Sequence, residues 1–269
     1  MLTEGRKTLG VFMNKADLNF QNTVQKTVQQ RAKELNYDVF FFFTVGYRES
    51  ANFYDVQEKG MFAFTPTEKL DGALVIPDAY DMPGFREALF DMLDKRAKCP
   101  VVCVRDSRSV YDSFYTDESM AIRPLLAHLL DDHGYRRVSF LAGYKEHPDS
   151  EKRLQCYREE MAKRGIPLYD HAIYYGSIWT RDADKACHYF FEDGVPMPEA
   201  IVCANNYLAQ ALIEQIQDHG LQVPQDVVVT GFDAPGAAGI RYQRQAGCLH
   251  AEPHLRQHQA PAQPGGKGG

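Results

Sequence analysis

Short runs of consecutive apolar residues alternate along the chain with longer stretches whose apolar positions recur every three or four residues. The runs at 8–13, 38–43, 72–76, 101–105, 138–142, 172–175, 200–203 and 227–230 are mostly unbroken Val, Ile, Leu and Phe. Unbroken runs, rather than alternation, are what parallel strands covered on both faces require. Between them, Val24, Val28, Ala32 and Leu35 are spaced as one stripe of a helix, as are Phe85, Leu89, Met92 and Leu93. Leu154, Tyr157 and Met161 repeat the spacing, followed by Leu208, Leu212 and Ile216. Each stripe reads as the face of a helix turned to a sheet. Strand–helix alternation of this kind predicts an α/β fold of right-handed βαβ units.

The strands fall into two groups of four, one on each side of the aperiodic, Ser-, Asp-, Tyr- and Arg-rich segment 106–117. Two doubly wound parallel-sheet lobes are therefore expected, residues 1–110 and 111–233, with a ligand cleft between the lobes. Ligands of open parallel sheets bind outside the carboxyl ends of the strands, so the segments just after each strand are where function is sought. From 234 to 269 Gly, Ala, Gln and Pro dominate. Such a segment buries too little apolar surface to offset its ordering entropy, which predicts a disordered or aberrant tail.

Composition narrows the function. At 269 residues, 44% hydrophobic and 25% charged, the chain is of ordinary globular type. Its net charge is -6, and in the tail Arg241, Arg244, Arg256 and Lys267 face only Glu252. The body is thus more acidic than the whole, a poor match for nucleic acid. No apolar run approaches the ~18–20 residues of a membrane span, and the short run after the amino terminus is no signal-peptide core. Cys99, Cys103, Cys156, Cys187, Cys203 and Cys248 lie mostly in apolar patterns and read as buried free thiols. A cytoplasmic protein with no membrane partner is expected.

Enzyme signatures are missing. The chain has no Gly-x-Ser-x-Gly elbow, no Gly-x4-Gly-Lys-Ser/Thr phosphate loop and no His-Glu-x-x-His zinc helix. Cys99 and Cys103 flank a strand, and Asp131, Asp132 and His133 read as a solvated helix end. His250, His254 and His258 have helical spacing, but Pro253 stands among them. A non-enzyme is expected, with no cofactor, catalytic residue or metal site.

Five segments together resemble the effector-binding domain of lac/galactose-repressor-type regulators. They are Leu9-Gly-Val-Phe-Met-Asn14 with Asp17 and Phe20, the stretch from His128 to Gly143, and Arg153-Leu-Gln-Cys-Tyr157. Ala200-Ile-Val-Cys-Ala-Asn205-Asn-Tyr-Leu-Ala209 follows, then Gly220–Asp233, with Val223-Pro-Gln-Asp-Val-Val-Val-Thr-Gly-Phe-Asp233, the most specific match. Their order and spacing across residues 8–233 carry the resemblance. It implies the periplasmic-binding-protein type I fold, a sugar- or nucleoside-like effector, ligand-dependent lobe closure, transcription regulation and homodimerisation. With seven residues before Thr8, no helix-turn-helix is expected in this chain, hence no direct DNA binding by it. Past Asp233 the family's return to the first lobe is not matched, as a frameshift or truncation would produce, and a non-functional remnant is then an alternative. His128–Arg137 and the aromatic-rich 40–54 region are also similar to sensor domains of signalling proteins such as diguanylate cyclases, with the output module absent.

The resemblance and the strand-end rule select the candidate ligand residues. Arg153 offers a five-donor fork, or is a solvated first-turn arginine. Asn205 can both donate and accept, or cap a helix. Asp233 would accept a pair of hydroxyls, and Asn14 and Asp17 lie in the first loop, where Asx-turns are common. Phe20 and Trp179 would cover a ring or pack locally. Asp78, Arg105 and Asp117 complete the set, with surface ion pairing as their alternative.

Overall fold

The computed structural model describes residues 5–16, 19–46, 57–77, 80, 82–106, 110–114, 117, 119–145, 147–177 and 182–232. These form two compact units that separate after Asp117. The expected tail at 234–269 lies outside the described residues.

The first unit is a parallel sheet of β1 (Lys7–Asn14), β2 (Tyr37–Thr44), β3 (Gly72–Val75), β4 (Val101–Val104) and β5 (Asp112–Phe114), in the order β2-β1-β3-β4-β5. Val11, Phe12 and Met13 of β1 are all fully buried. Successive strand side chains point to opposite faces, so β1 is covered on both, as its unbroken apolar run required. Phe12 joins Val75, Phe85, Leu89 and Leu93 in one core, while Val11 and Met13 join Ile76 in another. Helix α1 (Asn19–Glu34) connects β1 to β2, and α2 (Phe85–Arg96) connects β3 to β4.

The second unit holds β6 (Val138–Ala142), β7 (Ile173–Tyr175), β8 (Ala200–Cys203) and β9 (Val228–Thr230), all parallel in the order β7-β6-β8-β9. Its helices are α3 (Ser119–Ala127), extended by a wider turn over His128–Asp132, then α4 (Pro148–Lys163), α5 (Ala183–Phe190) and α6 (Asn206–Asp218). One core runs through it, from Ile122 and Leu126 through Phe140 and Tyr157 to Val202 and Leu212. Tyr157 is fully buried and donates its hydroxyl hydrogen to the Val138 carbonyl at 2.7 Å.

Two features differ from the sequence reading. Leu35 is 52% exposed, because α1 stops at Glu34 and Asn36 takes a positive φ of 58° to turn the chain into β2. Within the aperiodic segment, Asp112–Phe114 becomes an edge strand through backbone pairing with β4, while Phe114 faces outward. Asp131, Asp132 and His133 are exposed, as a solvated helix end requires, and Asp131 also accepts from Arg164, the residue after α4, at 2.7 Å. The buried thiols hold for Cys103, Cys156, Cys187 and Cys203, with Cys99 half-buried. Among the described residues no helix is long and apolar enough to cross a membrane.

In each sheet the strand order reverses about one strand: β2 and β3 flank β1, and β7 and β8 flank β6. Ligands of doubly wound sheets bind at the carboxyl end of such a switch point. The turns after Asn14 and after Ala142 are therefore the places to look.

Candidate effector site

At the switch point of the first unit, Asn14 is 1% exposed and built into the strand ends. Its Oδ1 accepts from the Thr44 hydroxyl at 2.9 Å, and its Nδ2 donates to the Gly46 carbonyl at 3.2 Å. One acceptor and one donor position of the amide stay uncommitted by these two bonds. Lys15, next in the chain, is buried with a φ of 55°, and Arg105, just after β4, has a φ of 65°. Left-handed backbone costs a non-glycine residue roughly 1–2 kcal/mol, and both instances lie at carboxyl strand ends, where strain tends to accompany function.

The fold brings Phe20 and Arg105 together. Phe20, in the first turn of α1, is 39% exposed, and the Arg105 guanidinium lies 4.9 Å from its ring centroid. Next to it, Asp106 is buried and accepts from Arg86 at 2.5 Å. That pair escaped the sequence reading, since nothing local marks an aspartate after a strand as buried. Asp117 is exposed at the end of the unit.

In the second unit Arg153 is only 6% exposed, which removes the solvated first-turn reading. It stands in the second turn of α4, donates to the Ala204 carbonyl just after β8, and its guanidinium lies 3.5 Å from the ring centroid of Phe232, after β9. Asn205 caps α6, its Oδ1 accepting from the Leu208 amide at 2.9 Å. After β6, the Gly143 amide donates to Ser150 Oγ at 2.8 Å, which fixes the start of α4. Arg153, Ala204, Asn205 and Phe232 thus gather at neighbouring strand ends. Phe232 and Ser150 were not singled out from sequence. Phe232 lies within the Gly-Phe-Asp motif and Ser150 shortly before the Arg153 motif, signals legible only once the strands are ordered. Asp17, Asp78, Trp179 and Asp233 lie outside the described residues.

Gly231 explains part of the Gly-Phe-Asp motif. A Cβ added there would meet Asn206 Oδ1 at 2.0 Å and the Asn206 backbone at 3.2 Å. Gly231→Ala is expected to cost about 1–3 kcal/mol by overpacking, read as a lower urea midpoint with unchanged slope. A midpoint equal to that of the unsubstituted chain would mean that Asn206 moves aside freely.

Residues 126–243 match the family model for a periplasmic binding protein-like domain. Over 229 residues the chain is 24% identical to the HTH-type transcriptional repressor PurR of Photobacterium profundum, covering 84% of this chain and 64% of that relative. It is 28% identical over 142 residues to catabolite control protein A of Priestia megaterium, covering 52% of this chain and 42% of the relative. These matches support a LacI/GalR-type effector-binding domain in this chain. Solved structures of this family share its fold. A sugar-binding LacI-family regulator from Escherichia coli, complexed with phosphate, superposes with a TM-score of 0.68 at 19% identity, covering 85% of this chain and 79% of that one. The Lac repressor bound to ONPG gives 0.69 at 16% identity, covering 87% and 67%. The expected parallel-sheet α/β architecture of periplasmic-binding-protein type is thus the observed one.

Proposed function

We propose that this chain is the ligand-sensing part of a LacI-type transcriptional regulator that works in the cytoplasm as a homodimer and acts by binding, not catalysis. Its effector is a sugar- or nucleoside-like molecule, and binding favours a closed arrangement of the two lobes through its higher affinity for that state. The observation that carries the reading is the set of polar and aromatic side chains at carboxyl strand ends and on the helices that follow them. Asn14, Arg105 and Phe20 belong to one unit, and Arg153 and Asn205 to the other. Asp17, Asp78, Asp117, Trp179 and Asp233 complete the proposed ligand set. A sugar needs convergent hydrogen-bonding groups and an aromatic face for its C–H surface, and these residue types supply both. The relatives named above are a transcriptional repressor and a catabolite control protein, and one neighbour is described as sugar-binding. These names favour a transcriptional output over a signalling enzyme.

The test is a thermal-shift series against pentoses, hexoses, disaccharides and nucleosides. A ligand at 100 times its Kd adds about 2.7 kcal/mol, a shift of several degrees. Phe20→Ala, a half-exposed position, is expected to weaken that ligand about tenfold, the loss of one stacked aromatic face, while leaving the ligand-free transition in place. No shift with any of the four classes, or a shift that Phe20→Ala leaves intact, overturns the reading.

A further inference from the structure

We propose that Asp184, His188 and His219 form a binding site for a divalent transition-metal ion, Zn2+ in the first instance, on the outer helices of the second unit. Asp184 and His188 are one turn apart on α5, and His219 follows the last residue of α6. One ligand atom from each of the three lies within 4.8 Å of the other two. Around a zinc ion, nitrogen and oxygen ligands at roughly 2.0–2.2 Å stand about 3.5 Å from one another. All three side chains are exposed, so small rotations close the remaining gap.

The surroundings orient the imidazoles as ligands. His219 Nδ1 lies 2.8 Å from the Gln215 carbonyl, and His188 Nδ1 lies 3.0 Å from the Asp184 carbonyl. Bonds of this kind hold the proton on Nδ1 and leave Nε2 basic, the arrangement that metal-binding histidines use. The two rings meet at 90° with centroids 5.0 Å apart, and the Asp184 carboxylate lies 3.3 Å from His188 Nδ1, so a rotation of the Asp184 side chain is needed to bring its oxygen to the Nε2 side. A carboxylate and two imidazoles, with room for water, suit Zn2+, Ni2+ or Cu2+ rather than Ca2+ or Mg2+. Cys187 Sγ lies 3.8 Å from His219 Nδ1 but faces the core, where burial pushes its thiol up to about 11. The ligand set is therefore nitrogen and oxygen only.

The site is separate from the effector residues. His219 ends the helix that Asn205 caps, about 20 Å away at 1.5 Å rise per residue. An ion held there would clip α5 to the end of α6 without touching the strand termini.

The experiment titrates the EDTA-treated full chain with ZnCl2, following heat and transition temperature. One ion per chain and a dose-dependent rise in Tm are expected. His188→Ala and His219→Ala should each weaken binding about tenfold or more, as loss of one ligand of three requires, with an unchanged metal-free transition. Simultaneous His250→Ala, His254→Ala and His258→Ala should leave that binding intact. The proposal is overturned if the His188 and His219 variants bind as the unsubstituted chain does, if the triple substitution alone abolishes binding, or if no binding occurs below millimolar zinc. An effector shift retained in His219→Ala would show the sensor reading intact whichever way the zinc titration falls.

Discussion

Arg153→Ala is expected to destabilise the second unit by about 2–4 kcal/mol and to abolish effector binding. The guanidinium is buried, donates to the Ala204 carbonyl, and stacks at 3.5 Å over the Phe232 ring. A hydrogen bond from a charged donor contributes about 1.5–3 kcal/mol, and a desolvated cation–π contact about 2. Relief of a buried charge offsets part of both. What remains favours the native arginine, because alanine leaves the Ala204 carbonyl without this donor and a void beside Phe232. Arg153→Lys separates charge from shape. A lysine keeps the cation but neither the planar stack nor the fork, so it should recover less than half of the lost stability. Urea unfolding of the three proteins tests this. A loss under about 0.5 kcal/mol for the alanine variant would mean that Arg153 does not hold these strand ends together, and that its burial awaits a ligand.

Glu160 supports the second large prediction. It is 4% exposed, with Arg123 donating to one carboxylate oxygen at 2.8 Å and Arg164 to the other. Arg164 also reaches Asp131, and Arg123 reaches Glu159, so the network ties α3 and its final turn to α4. Burial opposes ionisation of Glu160, but the bonds from Arg164 and Arg123 outweigh it and hold the carboxyl below its ordinary value of 4.5. Asp131 is held low by Arg164, and Glu159 by Gln155 and then Arg123.

The sign of the pH effect follows. A native carboxyl with a depressed pKa binds fewer protons than the unfolded one, so its stabilisation is complete above 4.5 and is lost as pH falls through the native value. Glu160→Gln is expected to flatten the fall of stability below pH 4.5. Glu160→Ala should cost about 2–3 kcal/mol near neutrality, below the 3–5 of a fully buried broken pair, because Arg123 is partly solvated. Stability–pH curves that run parallel for the unsubstituted protein and the Glu160→Gln variant would remove the network from acid unfolding.

The family motifs and the strand sites were legible along the chain, while the contacts among candidate residues were not. Asn205 shows why a residue can be found without its role being visible. Its place after an apolar strand and before a helical stripe marks it, yet whether its amide caps the helix or meets a ligand depends on backbone direction. The structure shows the cap, which a ligand contact by the same side chain does not exclude. Arg153 shows the reverse. A sequence of charged and polar neighbours around it suggests solvent, and only its meeting with Ala204 and Phe232, just after β8 and β9, buries it.

What the sequence determined by itself is the layering: unbroken apolar runs that demand strands covered on both faces, and three-to-four spacing that demands helices over them. Both are local consequences of side-chain direction and of apolar surface leaving water, so no knowledge of neighbours is needed to read them. Tertiary structure alone decided that Phe20 meets Arg105, that Arg153 meets Phe232, and that Asp112–Phe114 becomes a strand. Those meetings depend on the order and register of strands distant in sequence. Strand order is set by how connections of fixed handedness pack whole helices, and no single segment carries that information.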